Sequence, residues 1–473
     1  MLTIDELNRR TFLKRFGALS VAGVGAPFAL NLAAIGEAAA FTATDYKALV
    51  CVFLYGGNDY ANTVVPYDLT NYDLYSKIRG GGANRTAGGI ALGRDALTST
   101  ALTPLTPQTL TDNIQYALAP ELTGLKTLWD QGKCAVQLNV GPLIVPLTLA
   151  QYDSGNTVAY PIPSPLFSHN DQQLVWQTLG VDGSTVGWGG RVGDLALSSN
   201  GNASFTCITA AGNAVYLAGN QAVEYEISPS GVTAISAAVY DYYGGSAQAS
   251  TLRTLVTQSS TNVLENEWGK VTGRALSLYD TVSTALQAVT LTTKFNVSGN
   301  NDLADQLKIV AELIAARSAL GAKRQVFFVS IGGFDTHDGL IAVHGPLMAQ
   351  LNEAISEFYA ATIELGVVNN VTTFTASDFG RTLASNGDGS DHGWGGHHFV
   401  VGGAVKGGQF YGTAPHVSVT TDDQVGQGRL LPSTSVDQYA ATLARWFGAS
   451  DADLASIMPN LANFATPNLG FMG

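Results

Sequence analysis

Only three cysteines occur in 473 residues, at wide spacing and with no Cys-x-x-Cys pair. That excludes a disulfide scaffold and a zinc ribbon. Cys51 falls within an apolar run, and Cys134 and Cys207 allow at most one bridge. Charged residues make up 13% of the chain, and no basic run occurs anywhere in it. A net charge of −13 without a basic patch repels nucleic acid and anionic lipid, so polyanion binding is excluded. No apolar stretch reaches the ~20 uninterrupted residues of a membrane span. The nearest, Phe16 to Ala34, is broken by Pro27 and Asn31. No Gly-x-Gly-x-x-Gly turn follows the first apolar run, so a tightly held dinucleotide is not indicated.

What the N-terminus does contain is an address. Arg9-Arg10 precedes Phe12-Leu13, the moderately apolar stretch follows, and Glu37-Ala38-Ala39-Ala40 ends it with small residues that suit a signal peptidase. This order predicts a twin-arginine export signal over residues 1–40, cleaved before Phe41, with the twin-arginine translocase as partner during export. The mature chain is then periplasmic or secreted and has no membrane span. Removing residues 1–40 takes away four basic and three acidic residues, leaving 20 against 34 and a net charge near −14. About 430 residues remain, enough for a large core that needs no staples. The 53 glycines suit a loop-rich exported protein.

Four runs read as central strands because they are apolar on both faces: Lys47–Tyr55, Cys134–Val140, Gln325–Ile331 and Val371–Ala376. Each ends in glycine or polar residues. Leu347, Leu351, Ile355, Phe358 and Leu365 mark a helix between the last two, and Leu307, Val310 and Ile314 mark one before them. Strand, helix, strand at this spacing predicts right-handed crossovers and an α/β fold, a three-layer sandwich around a mostly parallel sheet. Residues 41–180 and 251–473 are expected to form the two parts of the core. Residues 181–250, rich in Gly, Ser, Asn and Thr with alternating runs such as Ala214–Leu217, are expected to form a β-rich insertion or lobe. The Gly/Thr-rich stretch 78–115 reads as a long surface loop.

Ligands of parallel sheets bind beyond the carboxyl ends of the strands. Three of those ends deliver aspartates: Asp59 after the first, Asp335 after the third and Asp378 after the fourth. His337, and Asp391 with His392 and His397, follow on the same segments. Five of the seven histidines fall within about sixty residues. Carboxylates and imidazoles gathered on one rim are the ingredients of a metal site. For each residue taken singly, a helix cap or a satisfied surface group is an equal reading. Ser168, beside His169 at the start of a helical run, reads either as a nucleophile or as an N-cap. Arg381 offers a fork to phosphate or sulfate, or a partner to Asp378 or Asp391.

Together the motifs Gly56-Gly57-Asn58-Asp59, Gly332-Gly333-Phe334-Asp335-Thr336-His337, Ser377-Asp378-Phe379-Gly380-Arg381-Thr382 and Asp391-His392-Gly393 resemble a twin-arginine-exported bacterial family, domain of unknown function 1501. The resemblance runs from Leu49 to about Phe447. That family is similar to the alkaline phosphatase and sulfatase superfamily, whose members hold one or two divalent metals at the rim of an α/β sheet. The resemblance implies Asp59, Asp335, His337, Asp378, Asp391, His392 and His397 as candidate metal ligands, with Zn, Mn, Ca or Mg as the ion. It also implies Ser168 as nucleophile, with His169 and Arg381 beside it. Phosphatases of that superfamily place a His directly after the strand-end Asp, where Phe379 stands here, so Asp391-His392 would supply the imidazole from the next loop. The sulfatase Cys/Ser-x-Pro-x-Arg pattern is missing at Ser168, so formylglycine chemistry is not implied. Two functions are therefore expected: a metal-dependent hydrolase of small phosphate or sulfate esters, or a non-catalytic member of the same fold acting as a secreted or cell-surface binding or assembly protein, with a cell-surface component as its partner.

Overall fold

The computed structural model describes residues 41–473 except 42, 164, 181–183 and 241–245; the leader expected over residues 1–40 lies outside the described residues. Nine strands form one sheet: β1 (Lys47–Leu54), β2 (Cys134–Gly141), β3 (Cys207–Thr209), β4 (Tyr225–Glu226), β5 (Arg324–Ile331), β6 (Val371–Ser377), β7 (Gly396–Gly402), β8 (Phe410–Tyr411) and β9 (Thr434–Ser435). Their order is β8-β2-β7-β6-β1-β5-β3-β4, with β9 also beside β2. The pairings are parallel except those of β7, which runs antiparallel to β2 and β6. All four expected strands are present within a residue or so at each end.

Among the helices that cover the two faces are α1 (Thr123–Asp130), α2 (His169–Thr178), α3 (Trp188–Ala196), α4 (Asp302–Ala315), α5 (Leu340–Glu364) and α6 (Val436–Phe447). β1 shows why its sequence is apolar at every position after Lys47. Side chains alternate across a strand, so Val50, Val52 and Leu54 join Leu125 of α1, Leu307 of α4 and Leu351 of α5 in one core. Leu49, Cys51 and Phe53 join Trp188 of α3 and Leu443 of α6 in the other. Each such side chain contributes about 1.5–3 kcal/mol on full burial, which makes the three layers one cooperative body. β2 departs from strict alternation: its register with β7 shifts between Gln137 and Val140. Asn139 takes φ 47 there, and the bulge turns Val140 to the second core while Val136 and Leu138 face the first.

Local signals start the helices. Ser435 and Gln438 form a capping box on α6, and the Asn301 side chain accepts from Ala304 N–H at the start of α4. Residues 184–240 supply α3, the short strands β3 and β4 and several 3-10 turns. Val215–Leu217, part of an alternating run in the sequence, is one of those turns. Tyr216 is drawn into the second core between Trp188 and Phe328, at ring centroid distances of 4.9 and 5.7 Å. The stretch 78–115 is not all surface, since Arg79, Ile90 and Leu97 are buried. Cys51, Cys134 and Cys207 are free and buried. No helix among the described residues is long and apolar enough to cross a membrane.

Register places the site. Leu54 stands abreast of Ile331 on one side and Ser377 on the other, so β1, β5 and β6 end level and their loops leave at one height. The loops then pack backbone to backbone. Gly56 has φ +115, and a Cβ there would meet Asp335 N at 2.4 Å. Only glycine permits that approach.

Candidate metal centre

Asp378, the first residue beyond β6, is fully buried, and three donors converge on its Oδ2. They are His169 Nδ1 at 2.6 Å, Gln173 Nε2 at 2.8 Å and the Gly56 backbone N–H at 3.1 Å. His169 and Gln173 lie four residues apart on α2 and so share one face of it. A carboxylate only accepts, so the His169 Nδ1 bears hydrogen, and in the neutral ring Nε2 carries the lone pair. That Nε2 is buried, makes no hydrogen bond and stands 3.4 Å from Asp335 Oδ2.

His392 repeats the arrangement. Its Nδ1 donates to the Phe167 carbonyl at 2.7 Å, which leaves Nε2 as acceptor, 3.3 Å from Asp335 Oδ1. His337 does so a third time: Nδ1 faces Asp391 Oδ1 at 3.3 Å, and Nε2 lies 3.2 Å from Asp335 Oδ1. The Nε2 atoms of His337 and His392 are only 2.8 Å apart. Two lone pairs at that distance repel, so the pair requires a proton or a cation between or beside them. Donor atoms of His169, Asp335 and His392 all lie within 4.8 Å of one another.

The surrounding groups set the charge of the cluster. Burial opposes ionisation of Asp335, but the Arg381 hydrogen bond and charge, with His169 and His337, outweigh it and hold the carboxyl below its ordinary range. The Asp378 hydrogen bond raises His169 against the opposing effect of burial. Burial lowers His392. The Asn386 amide and His337 hold Asp391 low despite its partial burial. Phe379, in the place where a histidine was sought, lies against both rings, 4.8 Å from the His169 centroid and 4.8 Å from that of His392.

The tertiary structure therefore brings together Asp335, His337, His392 and His169, with Asp378 and Asp391 each holding an imidazole by its Nδ1. Arg381 is fully buried and points inward. It donates to Asp335 Oδ1 at 2.9 Å, to the Gly56 carbonyl at 2.9 Å and to Ser390. It pairs with neither Asp378 nor Asp391, and it clamps the three rim loops together. Ser168 does not cap the backbone of α2; its hydroxyl donates to Asp171 Oδ2. Phe167, one residue earlier, is held at φ 65, a costly conformation for a bulky residue.

Two expected ligands stand apart. Asp59 is fully buried in an ion pair with Arg79, and its Oδ1 has no partner. His397 is buried against Tyr60 and Tyr116; it accepts the Asn139 N–H at 3.1 Å through Nδ1, and burial drives it down to about 3. Residues that sequence reasoning passed over include Gln173, Asp171, Asn386 and Arg429. Arg429 donates from Nε to the His392 carbonyl at 2.8 Å and lies over the Phe167 ring. The i, i+4 spacing of His169 and Gln173 was the one signal that could have exposed any of them.

The donor set fits a cation. Two imidazole nitrogens and a carboxylate oxygen are presented with their lone pairs inward, and each ring is fixed through its other nitrogen in the way metal-binding histidines usually are. The family model described as "Protein of unknown function (DUF1501)" matches residues 230–453. Residues 230–453 belong to that family. The matched region carries Asp335, His337, Asp378, Arg381, Asp391 and His392, while Ser168 and His169 come to the site from outside it. No curated protein matches the chain in sequence. Among solved structures, one titled Ps i-CgsB in complex with k-i-k-neocarrahexaose is similar at 11% identity and TM-score 0.33, over 90% of this chain and 78% of that one. A second, titled for glycosaminoglycan metabolism by Bacteroides thetaiotaomicron (BT33494S-sulf), is similar at 9% identity and TM-score 0.35, over 86% and 74%. At that level of superposition no property transfers to this chain.

Proposed function

We propose that this protein is an exported, metal-dependent hydrolase of phosphate or sulfate esters, with one divalent ion held by His169, His392 and Asp335. The observation that supports this reading is the set of inward lone pairs: three imidazoles tied down at Nδ1, with two Nε2 atoms 2.8 Å apart over one carboxylate. Two imidazoles and one carboxylate favour Zn2+ over the all-oxygen preferences of Ca2+ and Mg2+. A bound divalent ion supplies Lewis acidity toward a phosphoryl or sulfuryl oxygen.

The chain's own groups supply the rest. The neighbours of Ser168 are both anchored in the cluster, Phe167 through its carbonyl and His169 through its ring, so the Ser168 hydroxyl is held at the rim. Asp171 already accepts its hydrogen and takes the proton as Ser168 Oγ attacks phosphorus or sulfur. His337 is the more exposed imidazole, backed by Asp391; with a proton gained from solvent at Nε2 it protonates the departing alkoxide oxygen, and water then cleaves the Ser168 ester to release phosphate or sulfate and restore the hydroxyl. Arg429, unlike Arg381, is partly exposed and offers a cation to the ester anion.

The test is the metal content of the purified mature chain, followed by turnover of aryl phosphates and sulfates with added Zn, Mn, Ca or Mg. Stoichiometric Zn and turnover abolished by Asp335→Ala are expected, with Ser168→Ala separating attack by the hydroxyl from attack by water. A protein that takes up none of these ions would overturn the reading. One observation favours the second function, a non-catalytic binder of a cell-surface component: Arg381 is fully buried on protein partners, which removes the expected fork for the ester. A metal-loaded protein inert on the whole ester panel would select it.

A further inference from the structure

On the far side of α2 from Asp378 lies a cavity of about 550 Å³. Leu143 and Ile144 after β2, Ile162, Val175 of α2 and Leu179 just past its end line it, with Asp437 in the first turn of α6. Its size and mostly apolar lining are those of a small-molecule site with one orienting polar group. Asp437 is that group. The residue is 3% exposed, and its carboxylate accepts at Oδ1 from the Asn460 N–H at 3.3 Å. Among the described residues no ion pair reaches it within 4 Å. Arg191 of α3 acts on Asp437 through its charge but forms no ion pair with it, its Nη2 donating to the Thr178 carbonyl instead. A carboxylate buried in an apolar wall without a cation is costly, and a ligand bearing the missing charge removes that cost.

We propose that this cavity binds a small organic cation, an ammonium group on an apolar alkyl or aryl body, with the ammonium on Asp437 and the body against Val175, Leu179 and Ile162. No bond is made or broken. The site is distinct from the metal cluster, since none of the cluster residues lines it, and it stands whether or not the chain hydrolyses esters.

Isothermal titration of the full mature chain at pH 8 with hexylammonium and phenethylammonium, and with hexanol and 2-phenylethanol as uncharged twins, tests the proposal. Each amine is expected to bind about tenfold or more tighter than its alcohol, the worth of one charged hydrogen bond. Asp437→Asn should bring the amine down to the alcohol, and Val175→Trp should weaken both by filling the cavity. Equal affinity of amine and alcohol in the native chain, an amine preference that survives Asp437→Asn, or no binding of either amine at millimolar concentration would each overturn it. Metal content measured alongside should be unchanged in both variants, which separates this site from the hydrolase reading.

Discussion

Asp378→Asn isolates what the buried carboxylate does for the proposed metal. In the native protein a single oxygen, Oδ2, receives His169 Nδ1, Gln173 Nε2 and the Gly56 N–H at 2.6, 2.8 and 3.1 Å. Asparagine is isosteric and can keep its one oxygen in that position, so the three donors stay paired and the loop after β1 stays in place. What is lost is the negative charge, which makes such hydrogen bonds roughly twice as strong as neutral ones and makes Nε2 of His169 a better donor to a cation. Loss of a carboxylate behind a metal-binding histidine typically lowers affinity about 10- to 100-fold, or roughly 1.4–2.7 kcal/mol. Competition of the protein with a chromophoric chelator for Zn2+ at fixed pH measures this directly, with circular dichroism confirming the fold. Asp378→Ala is the harsher control, because it strands three donors at about 1–3 kcal/mol each and should lower the melting temperature as well. Unchanged Zn2+ affinity in a folded Asp378→Asn protein would refute the assignment of His169 as a ligand oriented by Asp378.

Arg79→Met leaves Asp59 buried without its partner and is expected to cost about 3–5 kcal/mol in urea unfolding, with Asp59→Asn added on top recovering most of it. Asp437 is pushed up to about 7 by burial, from an ordinary carboxyl value of 3.8. The unfolded chain therefore sheds this proton while the fold keeps it, and this group makes stability fall as pH rises from about 4 to about 7 and level off above, by roughly 4 kcal/mol in all. Asp437→Asn should abolish that contribution when unfolding is compared at pH 4 and pH 8. Gly56→Ala, placing a Cβ 2.4 Å from Asp335 N, should abolish metal uptake, whereas Gly332→Ala, with open space around it, should leave it intact. Replacing Arg9 and Arg10 by Lys should hold an uncleaved precursor in the cytoplasm, while the native chain should yield a mature N-terminus at Phe41 by Edman sequencing.

Residues 47–54, 324–331 and 371–377 announce themselves as central strands because burial on both faces favours apolar and β-branched side chains on both, a pattern local to seven or eight residues. The same locality made the rim legible: a residue just past such a strand lies at its carboxyl end, so Asp335, Asp378, His337 and His392 could be placed together before any contact was known. The roles within that rim were decided only by tertiary packing. Whether Asp378 touches a cation or steadies a ring depends on α2, some two hundred residues earlier in the chain, bringing His169 to it. Asp59 and His397 satisfied the same local rule and were claimed by other partners, one by Arg79 and the other by the Asn139 backbone. Arg381 carries the charge of an anion receptor, yet its donors are spent on loops that converge only in the folded chain. Spacing along a polymer fixes which groups leave one edge of a sheet, whereas hydrogen-bond partners drawn from distant segments fix what each group is free to do.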